Sequence, residues 1–166
     1  MKPRSRNPKT TTFETALAAT VKWLARRDLT EAELRARLER AATPASVADA
    51  VVAHARARKW VDDTRVATRT TEIAARHKGL GTAGIDHVLE RKGVDETLRE
   101  TVLDGDEEQP RATALATKER DRGRTAAQTA RKLASKGYSE ESIRGALDAT
   151  FPGWDEPAPL ETDGDA

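Results

Sequence analysis

Apolar residues recur along the chain at spacings of three and four, the pattern of amphipathic helices. The first such face comprises Phe13, Leu17, Val21 and Leu24. Thr11 and Glu14 stand at capping-box spacing, so the sequence predicts that the first helix is capped at Thr11. A second box, formed by Thr30 and Glu33, predicts where the next helix begins. We therefore expect a chain built from short, capped helices.

A third helix follows after a very short turn. Thr43 is predicted to cap it, with Pro44 in its first position. Its apolar stripe comprises Val47, Val51, Val52 and Ala55. Asp62 and Asp63 come next, and because adjacent residues on a helix do not face each other, we expect both to cap the following helix rather than to act as paired carboxylates. Residues 11–60 thus form one predicted three-helix unit.

This unit repeats along the chain. A shift of 51 residues superposes the apolar positions of its second and third helices, and a further shift of 44 does so again. The matched positions include Leu38 with Leu89 and Leu133, and Gly93 with Gly137. A basic last turn followed by glycine is typical of a helix that ends in a left-handed residue. We predict an all-α fold, an elongated tandem array of three three-helix repeats spanning residues 11–60, 61–104 and 105–151.

Charge is segregated along the 166 residues, although 29 Lys and Arg nearly balance 28 Asp and Glu. The ends are predicted to be a basic disordered arm, residues 1–10, and an acidic disordered tail, residues 152–166. The absence of cysteine excludes a disulfide scaffold and thiolate metal sites. No apolar run is long enough to span a membrane, and no apolar segment follows the basic start as in a secretory signal. We expect a soluble cytoplasmic protein.

No pattern typical of catalysis is present. His54, His77 and His87 lack partners at the spacing of a metal motif. The glycine-rich stretch 79–84 follows a predicted helix, whereas a dinucleotide-binding loop follows a strand. We therefore expect no enzyme activity, no cofactor and no metal site.

Basic residues are the remaining candidates for function. Arg40, Arg91, Lys92 and Lys136 occupy the same last turn in successive repeats. They either offset the helix dipole as solvated side chains or align into a stripe that follows phosphates or an acidic protein groove. The candidate partner-binding residues are Arg35, Arg37, Arg40, Arg56, Arg58, Arg76, Lys78, Arg91, Lys92, Arg131, Lys132 and Lys136.

Four strings of the sequence, in this order and at this spacing, are similar to those of a known family. They are ALAATVKWLARRDLTEAELRARL from residue 16, KWVDDTRVA from 59, HKGLGTAGIDHVLERKGV from 77 and ARKLASKGYSEESIRGAL from 130. The family they resemble is RecX, whose members regulate the RecA recombinase. The sequence departs from the family pattern where Ala41 and Ala42 replace Lys-Gly and where Val66 stands in place of an aromatic residue.

The resemblance implies a cytoplasmic protein of three-helix repeats without catalytic activity. Members of the family bind RecA, most effectively as its filament on single-stranded DNA, and are thought to lie in the filament groove. They limit filament extension, ATP hydrolysis and strand exchange, and can inhibit LexA cleavage. We expect a monomer with weak DNA binding and no membrane association. Two alternatives stay open: a direct nucleic-acid-binding helical-repeat protein, because three-helix units resemble helix-turn-helix modules, and a scaffold for another acidic protein.

Overall fold

The computed structural model describes residues 11–154. The predicted basic arm, residues 1–10, lies outside the described residues, and so does the predicted acidic tail from residue 155 onward. Within the described range the regular structure is helical throughout, which confirms the all-α prediction. The helices are α1 (Phe13–Leu24), α2 (Glu31–Arg40), α3 (Ala45–Ala57), α4 (Asp63–Arg76), α5 (Thr82–Arg91), α6 (Glu96–Leu103), α7 (Glu108–Asp121), α8 (Ala126–Ser135) and α9 (Glu140–Thr150).

The described helices follow one another in sets of three, as the repeat predicts. They form two compact units, one of residues 11–73 with 86–104 and one of residues 74–85 with 105–154. In the first unit α1 and α2 both pack against α3, and in the second α7 packs along α9 while α8 contacts both. The array of three-helix repeats is confirmed as the fold, whereas the predicted limits of each repeat stay a prediction.

The cap of α1 differs from the predicted one by a single residue. Thr12, not Thr11, caps the helix, because the Thr15 N–H donates to Thr12 Oγ1 at 3.4 Å. The Thr15 hydroxyl completes the box by accepting the Thr12 N–H at 3.0 Å. The prediction of a box between Thr11 and Glu14 is therefore wrong. A run of three threonines offers several registers with the same local chemistry, and packing of the helix selects among them.

The buried face of α1 also differs from the apolar stripe. Ala16 and Thr20 are buried, whereas Val21 is 46% exposed. Thr20 tolerates burial because its hydroxyl donates to the Ala16 carbonyl at 3.0 Å, which satisfies the polar group within the helix. Hydrophobic spacing alone assigned Val21 to the core, and that assignment is wrong because small residues, including this threonine, allow closer packing.

The starts of α2 and α3 show one correct and one incorrect prediction. The Thr30–Glu33 box is confirmed: the Glu33 N–H donates to Thr30 Oγ1 at 3.1 Å, and the Thr30 N–H to Glu33 Oε2 at 3.1 Å. Thr43, by contrast, does not cap α3, which begins after Pro44 without a side-chain cap. The Thr43 N–H instead donates to the Leu38 carbonyl at 3.0 Å and so closes the end of α2.

The two adjacent aspartates at the start of α4 have different roles. Asp62 caps α4, as predicted, by accepting the Arg65 N–H at 2.9 Å. Asp63 instead accepts the N–H of Glu31, the first residue of α2, at 2.8 Å. The prediction that both aspartates cap their own helix is therefore wrong for Asp63. Tertiary packing places its carboxylate beside the start of a different helix, 32 residues away in the sequence.

The same arrangement recurs 51 residues later in the second compact unit. Glu108, the first residue of α7, accepts the N–H of Thr82 at the first position of α5, at 2.8 Å. Glu31 and Thr82 are equivalent positions of the repeat. A carboxylate at the start of one helix therefore caps a helix of the preceding repeat at both places.

Two glycines confirm the predicted left-handed helix ends. Gly93 has φ +70° and Gly137 has φ +80°. Both also lie close to another helix. A Cβ at Gly93 would lie 2.4 Å from the Ala32 Cβ, and one at Gly137 would lie 2.2 Å from the Gly84 nitrogen. The left-handed conformation favours glycine at both positions, and the close approach of the neighbouring helix leaves no room for a side chain.

Candidate partner-binding surface

The predicted basic stripe is centred on the ends of α2, α5 and α8. Arg40 and Arg91 are the last residues of their helices, and Lys136 is the C-cap of α8. The Arg40 Nε donates to the Ala36 carbonyl of its own helix at 3.0 Å. The Lys136 Nζ donates to the Lys78 carbonyl at 2.5 Å, so this lysine is engaged within the second compact unit. Equivalent sequence positions therefore do not present equivalent charges.

Several predicted residues are paired with carboxylates. Arg35 contacts Glu31 at 3.3 Å and Asp49 at 2.5 Å. Arg56 lies 3.7 Å from Glu31. Exposed pairs of this kind stabilise a fold by about 1 kcal/mol or less. They nevertheless compensate the charge locally, so these two arginines present less positive charge than the sequence indicates.

Two other predicted residues lie against tryptophans. The Arg37 guanidinium lies 5.8 Å from the centre of the Trp23 ring, and the Arg58 guanidinium lies 5.8 Å from that of Trp60. Both indoles are half-buried and pack against the core of the first unit. These contacts are cation–π interactions, which orient the arginines without neutralising them.

Four predicted residues are exposed, and their side chains make no hydrogen bond, ion pair or cation–π contact among residues 11–154. They are Arg76, Lys78, Arg91 and Arg131. Arg76, Lys78 and Arg131 belong to the same compact unit. Because their charges are not compensated within that unit, they are the predicted residues most available to an anionic partner.

Lys132 has a structural role that the sequence did not reveal. Its Nζ lies 2.8 Å from Glu119 Oε1, and the Glu119 side chain is only 1% exposed. Arg122 contacts the same carboxylate at 2.8 Å, and Arg124 lies 3.8 Å from it. The hydrogen bond from Lys132 is the main cause that lowers the pKa of Glu119. Three bases thus surround one buried acid, whose single negative charge offsets only one of their three positive charges.

Lys92, another residue of the predicted set, lines a cleft that the sequence did not indicate. Its Nζ is 3.4 Å from Glu33 Oε1. Arg26, Arg27 and Arg69, which the predicted set omitted, line the same cleft. They come together only in the fold, since the loop after α1, the middle of α4 and the end of α5 are distant in sequence. No sequence signal indicates the cleft, because the 40% exposure of Ile73 on α4 is known only from the structure.

Two of the three histidines contact side chains of the first compact unit. His54 makes edge contacts with Phe13 and Trp60, with ring centres 5.7 and 5.5 Å apart. His87 lies 3.3 Å from Glu90 on its own helix. Among residues 11–154, no cluster of three His, Cys, Asp or Glu has the arrangement of a metal site. The helices in that range are also too short or too polar to cross a bilayer.

Comparisons of the sequence and of the fold with known proteins both point to the RecX family. Residues 16–54 match the model of the first three-helix domain of RecX. The regulatory protein RecX of Deinococcus radiodurans is 33% identical over 121 residues. That alignment covers 70% of this chain but only 57% of the relative, so the chain spans less than two thirds of its length.

Two solved structures share the fold. The crystal structure of RecX from Lactobacillus salivarius superposes with a TM-score of 0.74 at 16% identity, covering 82% of this chain and 94% of that one. A crystal structure of a regulatory protein RecX superposes with a TM-score of 0.72 at 20% identity, covering 82% of this chain and 71% of that one. The domain match, the sequence relative and the shared fold agree with the resemblance seen in the sequence. Residues 16–54 thus form a RecX-family three-helix domain, and the described chain has the RecX fold.

Proposed function

We propose that this chain is a regulator of the RecA recombinase that binds the RecA filament on single-stranded DNA. It limits filament extension, ATP hydrolysis and strand exchange, and so acts in DNA repair and recombination. It works in the cytoplasm as a monomer, by binding rather than by catalysis. The RecX-family domain and fold support the regulatory role, and the uncompensated basic side chains support an anionic partner.

The single observation that carries the proposal is the group of uncompensated bases. Arg76, Lys78 and Arg131 are exposed within one compact unit and have no polar side-chain partner among the described residues. Binding an acidic surface through them breaks no existing ion pair. Lys132, by contrast, already contacts Glu119, so its part in partner binding is indirect.

Steady-state ATP hydrolysis by RecA on single-stranded DNA tests the proposal, with this chain as the titrant. We expect inhibition at ratios well below one chain per RecA monomer, because a filament that stops extending affects many monomers. Extra free DNA should leave the inhibition unchanged. No inhibition at any ratio would contradict the proposed function.

A charge-reversal variant tests which surface acts. The double variant Arg76→Glu/Arg131→Glu should inhibit at least about tenfold more weakly, because two like charges then face an acidic partner. The matched control is Lys22→Glu/Lys118→Glu, which reverses two other exposed bases outside the predicted set. Equal loss in both variants would indicate that net charge, not this surface, decides the effect.

Direct nucleic-acid binding is the second candidate function, and the same exposed bases favour it because phosphates are equally anionic. It predicts inhibition that extra DNA removes, and a DNA affinity that falls steeply with salt. A shallow salt dependence together with inhibition that extra DNA does not relieve would exclude this alternative.

A further inference from the structure

The first compact unit contains a cleft of about 440 Å³ between the end of α1 and one face of α4. We name it the α1–α4 cleft. One wall is the segment 24–28, and the other is formed by Val66, Arg69 and Ile73, which lie on one face of α4. Lys92, just after α5, completes the lining. Every residue of the cleft belongs to the same compact unit.

The lining of the cleft is strongly basic. Four bases line it, and Asp28 is the only acid among the lining residues. Asp28 is shared, since Arg65 lies 3.5 Å and Arg69 lies 3.6 Å from its carboxylate. Arg26 is exposed and has no polar side-chain partner in the part of the chain that the structure describes. The positive charge therefore exceeds what the local acids compensate.

Two of the four bases that line the cleft are already paired with the Glu33 carboxylate. Arg27 binds Glu33 through both terminal nitrogens, at 2.9 and 3.1 Å. Lys92 contacts the same carboxylate at 3.4 Å. Arg27 and Lys92 are therefore engaged with Glu33, which leaves Arg26 and Arg69 as the rim bases for an incoming carboxylate, whose two oxygens match the planar fork of arginine.

The floor of the cleft is apolar. Leu24, Val66 and Ile73 line it, and Ile73 is 40% exposed. Among the described residues only Val21 is another large apolar side chain with comparable exposure. Ile73 lines the cleft together with Leu24 and Val66, so it belongs to a small contiguous apolar surface, and such surfaces favour binding of an apolar side chain.

These features favour a peptide over a nucleic acid. No aromatic residue lines the cleft, so it offers no platform on which a base can stack. Its apolar floor suits a side chain such as leucine, and its rim suits carboxylates. We propose that the α1–α4 cleft binds an acidic peptide segment of the partner protein, with a large apolar side chain seated on Ile73 and carboxylates paired with Arg26 and Arg69. The identity of the partner rests on the proposed function; the ligand chemistry rests on the cleft alone.

Peptide binding to the full chain tests the cleft directly. The probe is a fluorescein-labelled peptide with one leucine between pairs of glutamates, and fluorescence anisotropy measures its affinity. We expect saturable binding, and a peptide with serine in place of leucine should bind at least about tenfold more weakly. No saturable binding, or a serine peptide that binds equally well, would overturn the proposal.

Two variants locate the peptide in the cleft. Arg26→Glu and Ile73→Asp should each weaken peptide binding at least about tenfold, because one reverses a rim charge and the other removes the apolar seat. Their controls are Lys118→Glu and Val21→Asp, which alter an exposed base and an exposed apolar residue outside the cleft. Unchanged thermal melts establish that each variant is folded. Equal effects of a cleft variant and its control would refute the assignment.

A single-stranded oligonucleotide of equal length is the competing probe. We expect it to bind less tightly than the peptide and to be insensitive to Ile73→Asp. If the oligonucleotide binds more tightly than the peptide and Arg26→Glu abolishes that binding, the ligand of the cleft is a nucleic acid and the proposal is overturned.

The ATP hydrolysis assay separates this proposal from the proposed function. If the wild-type chain inhibits RecA and the cleft variants inhibit equally well, the cleft does not bind that partner and the proposal fails while the function stands. If the wild-type chain does not inhibit RecA, the function fails, and the peptide titration alone decides the cleft.

Discussion

Replacing Glu108 with glutamine tests the carboxylate that connects three segments of the second compact unit. Its Oε2 accepts the Thr82 N–H at 2.8 Å, and its Oε1 accepts the Ser139 N–H at 2.9 Å and the Ser139 hydroxyl at 2.5 Å. Burial by itself would raise the pKa of Glu108. The hydrogen bonds from Ser139, Thr82 and Ser142 outweigh that effect and lower the pKa to about 2.

The pKa sets the magnitude and the pH range of the expected effect. A carboxyl whose pKa falls from 4.5 to about 2 on folding stabilises the native state at pH values above 4.5, and this stabilisation is lost as pH falls toward 2. At about 1.4 kcal/mol per pH unit, the upper bound is about 3 kcal/mol at neutral pH. Because the side chain is only partly buried, solvent screening reduces the expected loss for Glu108→Gln to about 1–2 kcal/mol.

Urea denaturation between pH 7 and pH 2 measures this effect. We expect the variant to be less stable than the wild type at pH 7, and the difference to shrink steadily below pH 4.5. Glu107→Gln is the matched control: the residue is exposed, lies next to Glu108 at the start of α7 and makes no side-chain cap. A Glu108→Gln variant as stable as this control at pH 7, or a difference that does not change with pH, would refute the reasoning.

Two further predictions concern the contacts between neighbouring repeats. Gly93→Ala should lower the free energy of unfolding by about 2–3 kcal/mol, because the alanine must adopt a left-handed conformation and also clashes with Ala32. Gly123→Ala is the control: Gly123 has φ +79° but lies in open space, so the loss should be only about 1–2 kcal/mol. Equal denaturation midpoints would contradict this. Asp63→Asn should change the free energy of unfolding by less than about 0.5 kcal/mol, because the amide oxygen still accepts the Glu31 N–H. Asp63→Ala removes the acceptor and should lower the free energy of unfolding by about 1–2 kcal/mol. Equal stability of the two variants would show that the contact contributes nothing.

Features set by neighbouring residues could be predicted from the sequence. The Thr30–Glu33 box forms as predicted because its partners lie three residues apart on one helix. The left-handed ends at Gly93 and Gly137 follow from the basic last turn and the glycine. The helical fold, the order of the repeats and the family resemblance could be predicted for the same reason, because each depends on short sequence patterns that recur at a fixed spacing. The predicted Thr11 box is wrong because Thr12 offers the same side-chain chemistry one residue later and forms the box with Thr15.

The state of each basic side chain was not predictable from the sequence. Lys132 and Arg131 are neighbours with the same charge, yet Lys132 binds the buried Glu119 while Arg131 has no polar side-chain partner among the described residues. The two residues are adjacent in the sequence, but adjacent side chains on a helix point in different directions, so only Lys132 reaches Glu119. The predicted basic set therefore contains both paired and unpaired side chains, and its role in partner binding stays a prediction.

The sequence alone determined that this chain forms short capped helices in a repeated order, since capping, periodicity and glycine ends depend on residues within a few positions of one another. Tertiary structure alone decided which helix Asp63 caps and which bases meet in the α1–α4 cleft. Asp63 and the Glu31 N–H are 32 residues apart, and Arg26 and Lys92 are further apart still. Such contacts depend on how helices pack, and because a carboxylate or guanidinium pairs with whichever group packing brings near, its partner cannot be deduced from its neighbours in the chain.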